Sequence, residues 1–595
     1  MGVECTGPQD SRRSSRRGSR VARGVFFGDD AQPPTMSVGR ECMAMGELGT
    51  VRVLGACLSG TEAELVTVEA RFEANVKERN EIVLTGLPDP VIRESRSRLA
   101  CALEANGLHL PGGRLFLNLV PAARRKTGEI LDLPLLLGAA AACGHVRAKE
   151  LAQRMFLGEL GIDGALHAVP GGLAAALAAR RAGVEQVIAP RATALEAAWV
   201  PGVRAFGATH VEEVLRHLAS RAGTLAALLP VDEPTAGVES AAGESAVRDP
   251  SSRDPAVRDP AVRDPAVRDP SSRDPSAGVG RSSLDDVRGQ ASGKLALAAA
   301  AAGGHGLLFV GPPGTGKSML ARRLGSLLEP PSLDERLEIT RVLSATGRWP
   351  GGLARERPFR APHHTVSYAG MVGGGSPPAA GEITLAHCGV LFLDELPEFR
   401  REVLEALRQP LETGEIVISR AGRRLELGAR FQLVAAMNPC ECGYQGHPSV
   451  PCRCPPAHVQ RYRRRISGPL LDRIDLRVDL FAPSLDELAT APMSIAPDSA
   501  HSVLALRVRA ARERQLARQG TRRNVDLVAD ELDRLAPLDG PVRSLLTRAA
   551  RHRGLSARAI QALRRVARTL ADLDGSESIG SEHIARAIAL RSPIA

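Results

Sequence analysis

A glycine-rich loop between an apolar run and a helix-like run is the first stretch with recognisable chemistry. The segment "LLFVGPPGTGKSML" has the full spacing of a phosphate-binding (Walker A) loop directly after an apolar run. Its glycines let the backbone curl, so that N–H groups point at phosphate oxygens. Lys317 would reach the β- and γ-phosphates, and the Ser318 hydroxyl would bind Mg²⁺. The predicted nucleotide-binding loop consists of Gly311, Pro312, Pro313, Gly314, Thr315, Gly316, Lys317 and Ser318.

Two further apolar runs end in polar groups that phosphoryl transfer requires. "GVLFLDEL" predicts a buried strand that ends in Asp394 and Glu395. We expect Asp394 to hold the Mg²⁺ ion and Glu395 to polarise the attacking water. "QLVAAMNP" predicts another buried strand, and its terminal Asn438 could orient that water, although Asn-Pro also ends many strands as a plain turn. Together the three runs predict an ATP hydrolase with ATP and Mg²⁺ as cofactors.

Four cysteines are concentrated in the predicted loop 440–454. Cys440, Cys442, Cys452 and Cys454 form two C-x-C pairs, and four thiolates at this density suit tetrahedral Zn²⁺. The spacing within each pair is tighter than usual, so unliganded thiols and a disulfide stay open as alternatives. A bound metal would rigidify the loop after Asn438, which is a structural role.

A predicted β-hairpin carries a cluster of arginines. Residues 415–427, "EIVISRAGRRLEL", alternate apolar and polar residues, pass through an Ala-Gly pair and alternate again. Arg420, Arg423 and Arg424 would therefore lie around the tip of the hairpin. A charged tip either binds an acidic partner or keeps an exposed edge soluble, and both interpretations are open at this point.

The composition divides the 595-residue chain into several segments. Arg-Asp-Pro occurs six times between Arg248 and Pro275, and proline at every fifth position forbids a helix. The elements that position the motifs are alternating strand-like and helix-like runs on both sides of this repeat. The predicted segments are a disordered basic tail (1–46), an α/β domain (47–225), a repeat linker (226–282), a second α/β domain (283–485) and a helical region (486–595).

Charge and hydropathy restrict the partners of the chain. The net charge of +10 makes an acidic partner such as nucleic acid plausible, although a general enrichment in arginine is an equal explanation. No apolar run reaches the roughly 18–20 residues that a membrane helix needs, so no membrane partner is expected. Irregularly spaced cysteines without a secretory signal pattern favour a reducing, cytoplasmic location.

Three long segments carry a resemblance to a known family. They are "RPFRAPHHTVSYAGMVGGGSPPAAGEITLAHCGVLFLDELPEF", "SGPLLDRIDL" and "GLSARAIQALRRVARTLADL". Over residues 47–592 the sequence resembles the YifB/ComM family of magnesium-chelatase-like AAA+ ATPases. The resemblance implies a Lon-protease-type α/β domain, a central AAA+ P-loop α/β ATPase domain and a C-terminal helical lid. It also implies a homo-hexameric ring that binds ATP between subunits.

The resemblance assigns further residues. Arg473 in "LLDRID" matches the arginine finger that reaches the neighbour's γ-phosphate, and Arg558 in "LSAR" matches the nucleotide sensor of the lid. The predicted hairpin would project into the central channel, where its three arginines would bind DNA phosphates. The glycine-rich segment 367–376 would form a second channel loop, with Tyr368 and Met371 available for stacking or packing.

The first domain is predicted to lack peptidase activity. Proteolytic relatives of this domain type need a serine nucleophile and a lysine base. The corresponding segment "RRKTGEILDLPLLLG" contains no serine, and Ala174 occupies the lysine position. The domain is better interpreted as a scaffold. Its basic residues Arg124 to Lys126 could contact DNA or form a solvated turn.

The resemblance implies a DNA translocase or branch-migration helicase that acts in recombination or natural transformation. The alternative is a chelatase-like motor that remodels proteins or inserts a metal ion and does not act on DNA. A scaffold without useful turnover is a third hypothesis, and it conflicts with the presence of Glu395 and Arg473.

Overall fold

Two α/β regions, each with its own sheet, and a set of C-terminal helices make up the described part of the chain. The structure is a computed structural model. It describes residues 49–74, 81–88, 90–122, 126, 129–219, 228, 231, 283–349, 351–374, 379–420, 423–447, 449–482 and 499–593, which fall in a single compact unit. The predicted tail (1–46) and nearly all of the predicted linker (226–282) lie outside the described residues.

The first region forms a mixed sheet whose described strands run in the order β3-β4-β2-β1-β5-β8-β9. Its strands, with the small pair β6 and β7, are β1 (Val51–Ser59), β2 (Glu62–Ala74), β3 (Glu81–Thr85), β4 (Gly113–Val120), β5 (Arg154–Phe156), β6 (Glu159–Leu160), β7 (Leu166–His167), β8 (Gln186–Pro190) and β9 (Arg204–Ala208). Its helices are α1 (Pro90–Ala105), α2 (Asp132–Ala142), α3 (Ala148–Leu151), α4 (Gly172–Arg181), α5 (Arg191–Ala197) and α6 (Val211–Ala219). The apolar α2 is buried against β1 and β2, as its Leu/Ala composition requires.

The second region forms a parallel sheet whose described strands run in the order β11-β14-β17-β10-β18. Its strands, with the small pair β12 and β13 and the hairpin β15 and β16, are β10 (Leu307–Val310), β11 (Phe359–Arg360), β12 (Gly373–Gly374), β13 (Ala379–Ala380), β14 (Gly389–Leu393), β15 (Glu415–Arg420), β16 (Arg423–Gly428), β17 (Phe431–Met437) and β18 (Leu476–Asp479). Every residue of β10 and β14 is buried, which explains why their sequences are continuous apolar runs.

Short helices surround this parallel sheet, and longer ones follow it. They are α7 (Ala291–Gly303), α8 (Lys317–Arg322), α9 (Leu333–Ala345), α10 (Tyr368–Val372), α11 (Glu382–Leu385), α12 (Arg401–Ala406), α13 (Pro410–Thr413), α14 (Pro456–Arg463), α15 (Gly468–Leu471), α16 (Ala500–Gln519), α17 (Ala529–Leu535), α18 (Gly540–Arg553), α19 (Ala557–Asp574) and α20 (Ser581–Ala589). The predicted α/β class is confirmed. The Lon-protease type of the first region and the lid role of the last helices stay predictions. Among the described helices, none is both long and apolar enough to cross a bilayer.

Buried polar contacts fasten α19 to the parallel sheet. His305, just before β10, lies 2.9 Å from Asp475 Oδ2 and 2.8 Å from the Thr569 hydroxyl on α19. Asn524 also donates to Thr569 Oγ1, across 3.0 Å. All four side chains are buried, so each polar group needs these partners. The C-terminal helices are therefore joined to the sheet by hydrogen bonds as well as by apolar packing.

Helix α9 links the two α/β regions. Ser344 Oγ donates to Glu196 Oε2 across 2.5 Å in a buried position, and burial raises the pKa of Glu196. Arg341 of the same helix pairs with Glu62, and Leu337 packs against the apolar core of the first region. The first region is thus attached to α9, the second α-helix after the phosphate-binding loop.

The structure revises the expected conformation of two segments in the parts that it describes, which exclude residues 123–125 and 375–378. The predicted glycine-rich channel loop is helical over α10, because the Ser367 hydroxyl caps the helix by accepting from Gly370 N at 3.0 Å. Of the two uses that the sequence left open for Met371, the structure shows packing, because its side chain is fully buried in an apolar core, whereas Tyr368 is 48% exposed. Lys126 is buried, with Nζ donating to Gly86 O at 3.2 Å and to Pro121 O, so it is neither a DNA contact nor a solvated turn residue, while Arg124 and Arg125 lie outside the described residues.

Candidate nucleotide-binding site

The glycine-rich loop leaves the sheet at a topological switch point. Val310, the last residue of β10, pairs with Met437 of β17 on one side and Asp479 of β18 on the other. Ligands of open α/β sheets bind at such a point, beyond the carboxyl ends of the strands. Gly314 and Gly316 have φ angles of +79° and +85°, which glycine adopts without strain, so the loop can curl as the sequence predicted.

Lys317 is buried at the start of α8 and is surrounded by oxygen acceptors. Its Nζ donates to Gly311 O at 2.7 Å, to Pro312 O at 2.9 Å and to Asn438 Oδ1 at 3.1 Å. Burial lowers the pKa of Lys317, while the nearby carboxylates Asp394 and Glu395 act in the opposite direction. The structure thus brings Lys317 together with Asn438, two residues predicted separately from different strand ends.

Ser318 and Asp394 form the predicted magnesium-binding pair. The Ser318 hydroxyl donates to Asp394 Oδ2 across 2.5 Å, and Asp394 Oδ1 accepts from Glu395 N at 3.0 Å. A hydroxyl and a carboxylate are hard oxygen donors of the kind that Mg²⁺ prefers. Their proximity at the ends of β10 and β14 therefore fits a magnesium ion bound beside a nucleotide phosphate.

Glu395 has an unusual backbone and a histidine neighbour. Its φ of +52° places a non-glycine residue in the left-handed region, a strain that often accompanies function. The Glu395 carboxylate is 3.2 Å from His364 Nδ1, and the His364 ring contacts the His363 ring at a tilt of 34°, with centroids 4.1 Å apart. Sequence reasoning did not predict this contact. No local pattern indicates that a residue 31 positions upstream in the chain contacts Glu395.

The four clustered cysteines converge as predicted. Cys440, Cys442 and Cys452 have Sγ atoms 3.4–3.6 Å apart, and the Cys454 sulfur completes a set whose members lie within 4.8 Å of one another. Tetrahedral Zn²⁺ with bonds of about 2.3 Å places its sulfurs about 3.8 Å apart, so this donor set fits zinc. Backbone N–H groups of Tyr444 and Arg453 lower the pKa of Cys442 to about 6, which favours the thiolate that a metal needs.

The cysteine loop lies directly against the phosphate-binding loop. Gly443 has a φ of +85°, and a Cβ there would be 2.8 Å from Pro313 Cδ, so only glycine permits the approach. Gln445 and Gly446 of the cysteine loop line a cavity of about 250 Å³ with Gly311 and Pro312. The thiol cluster is therefore placed to fix one wall of the nucleotide site.

In a second group of potential metal ligands, an arginine occupies the place of a cation. Glu338, His387 and Cys388 lie together, but the Arg430 guanidinium pairs with the Glu338 carboxylate. His387 Nε2 is 2.8 Å from Glu338 Oε2, while its Nδ1 accepts from Arg430 N at 3.1 Å. Because an arginine already supplies the positive charge, this group is a hydrogen-bonded structural network.

Arg473 and Arg558, both assigned from the family pattern, meet at one carboxylate within a single copy of the chain. Arg473 Nη2 donates to Glu412 Oε2, and its Nη1 donates to Pro469 O at 2.8 Å. Arg558, at the start of α19, has Nη1 3.9 Å from Glu412 Oε1. Sequence reasoning missed Glu412, since nothing in "PLETGEIV" distinguishes it from other surface glutamates.

The predicted hairpin is present. Strands β15 and β16 pair antiparallel from Glu415↔Gly428 up to Arg420↔Arg423, and residues 421–422 between them lie outside the described part of the structure. Ile416 and Leu427 are buried at its base. The side chains of Arg420, Arg423 and Arg424 lie outside the described part of the structure, so the predicted DNA contacts stay predictions.

Gln290 is a second residue that sequence reasoning missed. It adopts a left-handed conformation, with φ of +56°, immediately before α7. Its side-chain amide donates to Thr315 O at 3.1 Å and to Phe481 O at 2.7 Å, and so connects the phosphate-binding loop to the segment after β18. A glycine-glutamine pair before a long alanine-rich helix is the only local signal.

Three family models match successive parts of the chain. Magnesium chelatase, subunit ChlI, matches residues 283–488, subunit ChlI of Mg-chelatase matches residues 68–193, and the C-terminal model of subunit ChlI matches residues 498–591. The first match contains the phosphate-binding loop, Asp394 of the predicted magnesium pair, the four clustered cysteines and the hairpin.

Whole-length relatives are also found. The chain is 36% identical over 540 residues to the uncharacterized protein YifB of Escherichia coli, covering 90% of this chain and 95% of that one. It is 37% identical over 543 residues to the competence protein ComM of Haemophilus influenzae, covering 90% and 96%. An uncharacterized protein of Mycobacterium tuberculosis is 36% identical over 558 residues, covering 92% and 99%.

Proposed function

The chain belongs to the YifB/ComM family of magnesium-chelatase-like AAA+ ATPases, and on that premise we propose that it is a ring-forming, Mg²⁺-dependent ATPase motor that moves along DNA. The observation that carries the ATPase part is the convergence of Lys317, Ser318, Asp394 and Asn438 beyond the carboxyl ends of adjacent parallel strands. The role would lie in branch migration during recombination or uptake of transforming DNA. The name of the Haemophilus relative, a competence protein, supports that role.

The residues of the site divide the work of hydrolysis. Lys317 binds the β- and γ-phosphates by exchanging its contacts with Gly311 O and Pro312 O for phosphate oxygens, which are stronger acceptors for an ammonium. Ser318 and Asp394 hold Mg²⁺, which neutralises charge on the phosphates when bound. Glu395 polarises the attacking water, and Asn438 orients that water from the side of β17.

Neighbouring copies complete the site. Arg473 of one copy acts as the arginine finger on the γ-phosphate held by the next, and Arg558 of the helical lid senses the nucleotide. Such a finger raises the rate of phosphoryl transfer by roughly 10³–10⁵-fold. This division requires a closed homo-oligomer, which we take to be a hexamer with ATP between subunits.

The arginine hairpin supports DNA as the substrate that the motor moves. Arg420, Arg423 and Arg424 lie at the end of the strand pair far from its base, and guanidinium groups bind phosphate oxygens without reading base sequence. A net charge of +10 favours the same partner. The first region serves as a Lon-type scaffold without peptidase activity. The four cysteines would hold a Zn²⁺ ion, which would stiffen the loop that faces the phosphate-binding loop.

A second candidate is a chelatase-like motor that remodels a protein or inserts a metal ion without binding DNA. The matches to magnesium-chelatase family models favour it. The deciding experiment measures ATP hydrolysis with no DNA, single-stranded DNA and forked DNA over a salt series. The DNA motor predicts stimulation that fades as salt rises, because salt weakens phosphate contacts. Hydrolysis that is indifferent to both DNAs at low salt favours the second candidate.

A further inference from the structure

Glu412 is the common partner of two arginines that belong to different parts of the chain. Its Oε2 accepts a hydrogen bond from Arg473, which follows α15, while its Oε1 lies 3.9 Å from Nη1 of Arg558 on α19. The hydrogen bond from Arg473, aided by the charges of both arginines, lowers the pKa of Glu412. One carboxylate therefore balances two guanidinium groups that would otherwise repel each other.

Glu412 lies next to the base of the arginine hairpin, which backbone hydrogen bonds of Gly414 hold in place. It lies in α13, and Gly414 N closes that helix by donating to Pro410 O at 2.9 Å. Gly414 O in turn accepts from Ala429 N at 2.7 Å, so both ends of the hairpin are attached to the residues beside Glu412. Glu412 is therefore two residues from Gly414, whose backbone groups hold the base of the hairpin.

The pairing of Arg473 is incomplete. Its side chain is only 10% exposed, and its Nε is buried without an acceptor among the described residues. A buried donor without an acceptor costs free energy. Exchange of Glu412 for a partner with more acceptor oxygens would therefore stabilise Arg473. A phosphate group offers more negative charge and more acceptor oxygens than one carboxylate, and it suits the guanidinium fork.

We propose that Glu412 is a positioning residue that holds Arg473 and Arg558 as a pair, and that ATP transfers at least one of them from Glu412 to phosphate and thereby loosens the base of the hairpin. The proposal rests on the roles that the proposed function gives to the two arginines. It adds a connection between the hydrolytic site and the hairpin that runs through one carboxylate. Glu412 competes with phosphate for the two arginines, so it lowers the rate at which bound ATP is hydrolysed.

The kinetic test compares Glu412→Gln with the full-length wild-type protein in the absence of DNA. Because the variant no longer competes for the arginines, we expect kcat to rise about fivefold and KM for ATP to fall. Glu412→Asp keeps the charge and is expected to stay near wild type. Glu402→Gln, on the exposed face of α12, is the matched control and is expected to change neither constant. Unchanged constants in Glu412→Gln, or a fall in kcat together with the thermal unfolding midpoint, would overturn the proposal.

A second measurement follows the hairpin itself by hydrogen–deuterium exchange of residues 415–428. In the wild type, a slowly hydrolysed ATP analogue with Mg²⁺ should speed exchange there, whereas Glu412→Gln should exchange fast with or without nucleotide. Exchange that is the same in all four samples contradicts the proposal. Neither measurement contains DNA. If the protein turns out not to act on DNA, both measurements still test the role of Glu412. If DNA does stimulate hydrolysis but neither measurement gives the expected result, only the proposed role of Glu412 is rejected.

Discussion

The Ser318 hydroxyl donates to Asp394 Oδ2 across 2.5 Å, and so joins the phosphate-binding loop to the residue that follows β14. The two residues are 76 positions apart in the chain. They meet because β10 and β14 both run parallel to β17, which lies between them, so that all three carboxyl ends point to one edge of the sheet. The magnesium pair is therefore a consequence of strand order.

Removal of the Lys317 ammonium is expected to abolish useful hydrolysis. In Lys317→Met, the phosphates lose their main cationic partner, and kcat/KM should fall by roughly 10²–10³-fold or more. Hydrolysis of ATP by the purified variant is the measurement. Lys149→Met, a change at a largely exposed lysine in the first region, is the control and should retain wild-type rates. A Lys317→Met enzyme that hydrolyses ATP at the rate of this control would show that phosphate binds elsewhere.

The Glu338 network predicts a pH-dependent contribution to stability. The hydrogen bond from His387, together with Arg430, lowers the pKa of Glu338 from 4.5 to about 2. Because the pKa is depressed in the folded state, the stabilisation is fully present above 4.5 and is lost as the pH falls towards 2. Glu338→Gln should lower the free energy of unfolding at neutral pH by about 1–2 kcal/mol, allowing for partial exposure.

Urea unfolding of wild type and Glu338→Gln at a series of pH values tests this prediction. The difference in free energy of unfolding should be constant at neutral pH and should shrink steadily between pH 4.5 and pH 2. Glu402→Gln provides the control for loss of an exposed carboxylate on a helix. A difference that stays the same down to the acid end would mean that Glu338 is not ionised in this network.

The cysteine cluster predicts bound zinc. Protein purified without a chelator should contain about one Zn²⁺ per chain, and Cys442→Ser should reduce that content sharply. Chelation should also lower the thermal unfolding midpoint of the wild type, because the metal closes the loop against Pro313. Cys101→Ser, which changes an exposed cysteine in the first region, is the control for metal content. Wild-type protein that contains no zinc after this purification would contradict the prediction and would mean that the four cysteines are unliganded thiols.

The strand ends could be predicted from sequence because each motif follows a continuous apolar run, and buried parallel strands have that pattern. The hairpin and the clustered cysteines were local patterns too, and both are present in the structure. Long-range partners could not be predicted in this way. Glu412, His364 and Gln290 gain their meaning from contacts with residues distant in the chain, and no periodicity records such contacts.

Burial of single side chains was equally hard to predict. Met371 lies in a glycine-rich stretch that looks mobile, but the Ser367 cap turns its first part into a helix that packs Met371 inward. Lys126 lies among basic residues that look solvated, yet its ammonium bonds two carbonyl oxygens inside the first region. In both cases contacts with the surrounding fold, and not the composition of the local sequence, determine whether the side chain is buried.

The arginine hairpin predicts a separation between hydrolysis and DNA stimulation. In the double variant Arg423→Ala plus Arg424→Ala, basal hydrolysis should stay close to wild type, because the nucleotide site is formed by other strands. Stimulation by single-stranded or forked DNA should disappear, since the guanidinium contacts with phosphate are lost. Equal loss of basal and stimulated rates would instead mean that the hairpin is needed for the architecture of the motor.

The central claim, that neighbouring copies share each hydrolytic site, is tested most directly by mixing two inactive variants. Glu395→Gln lacks the residue that polarises water, and Arg473→Ala lacks the finger; each alone should be nearly inactive. In mixed rings, an intact Glu395 on one copy meets an intact Arg473 on the next, so hydrolysis should reappear and increase with total protein concentration. If the mixture remains as inactive as its components while each variant still binds ATP, the site is complete within one chain and the account of a shared ring is wrong.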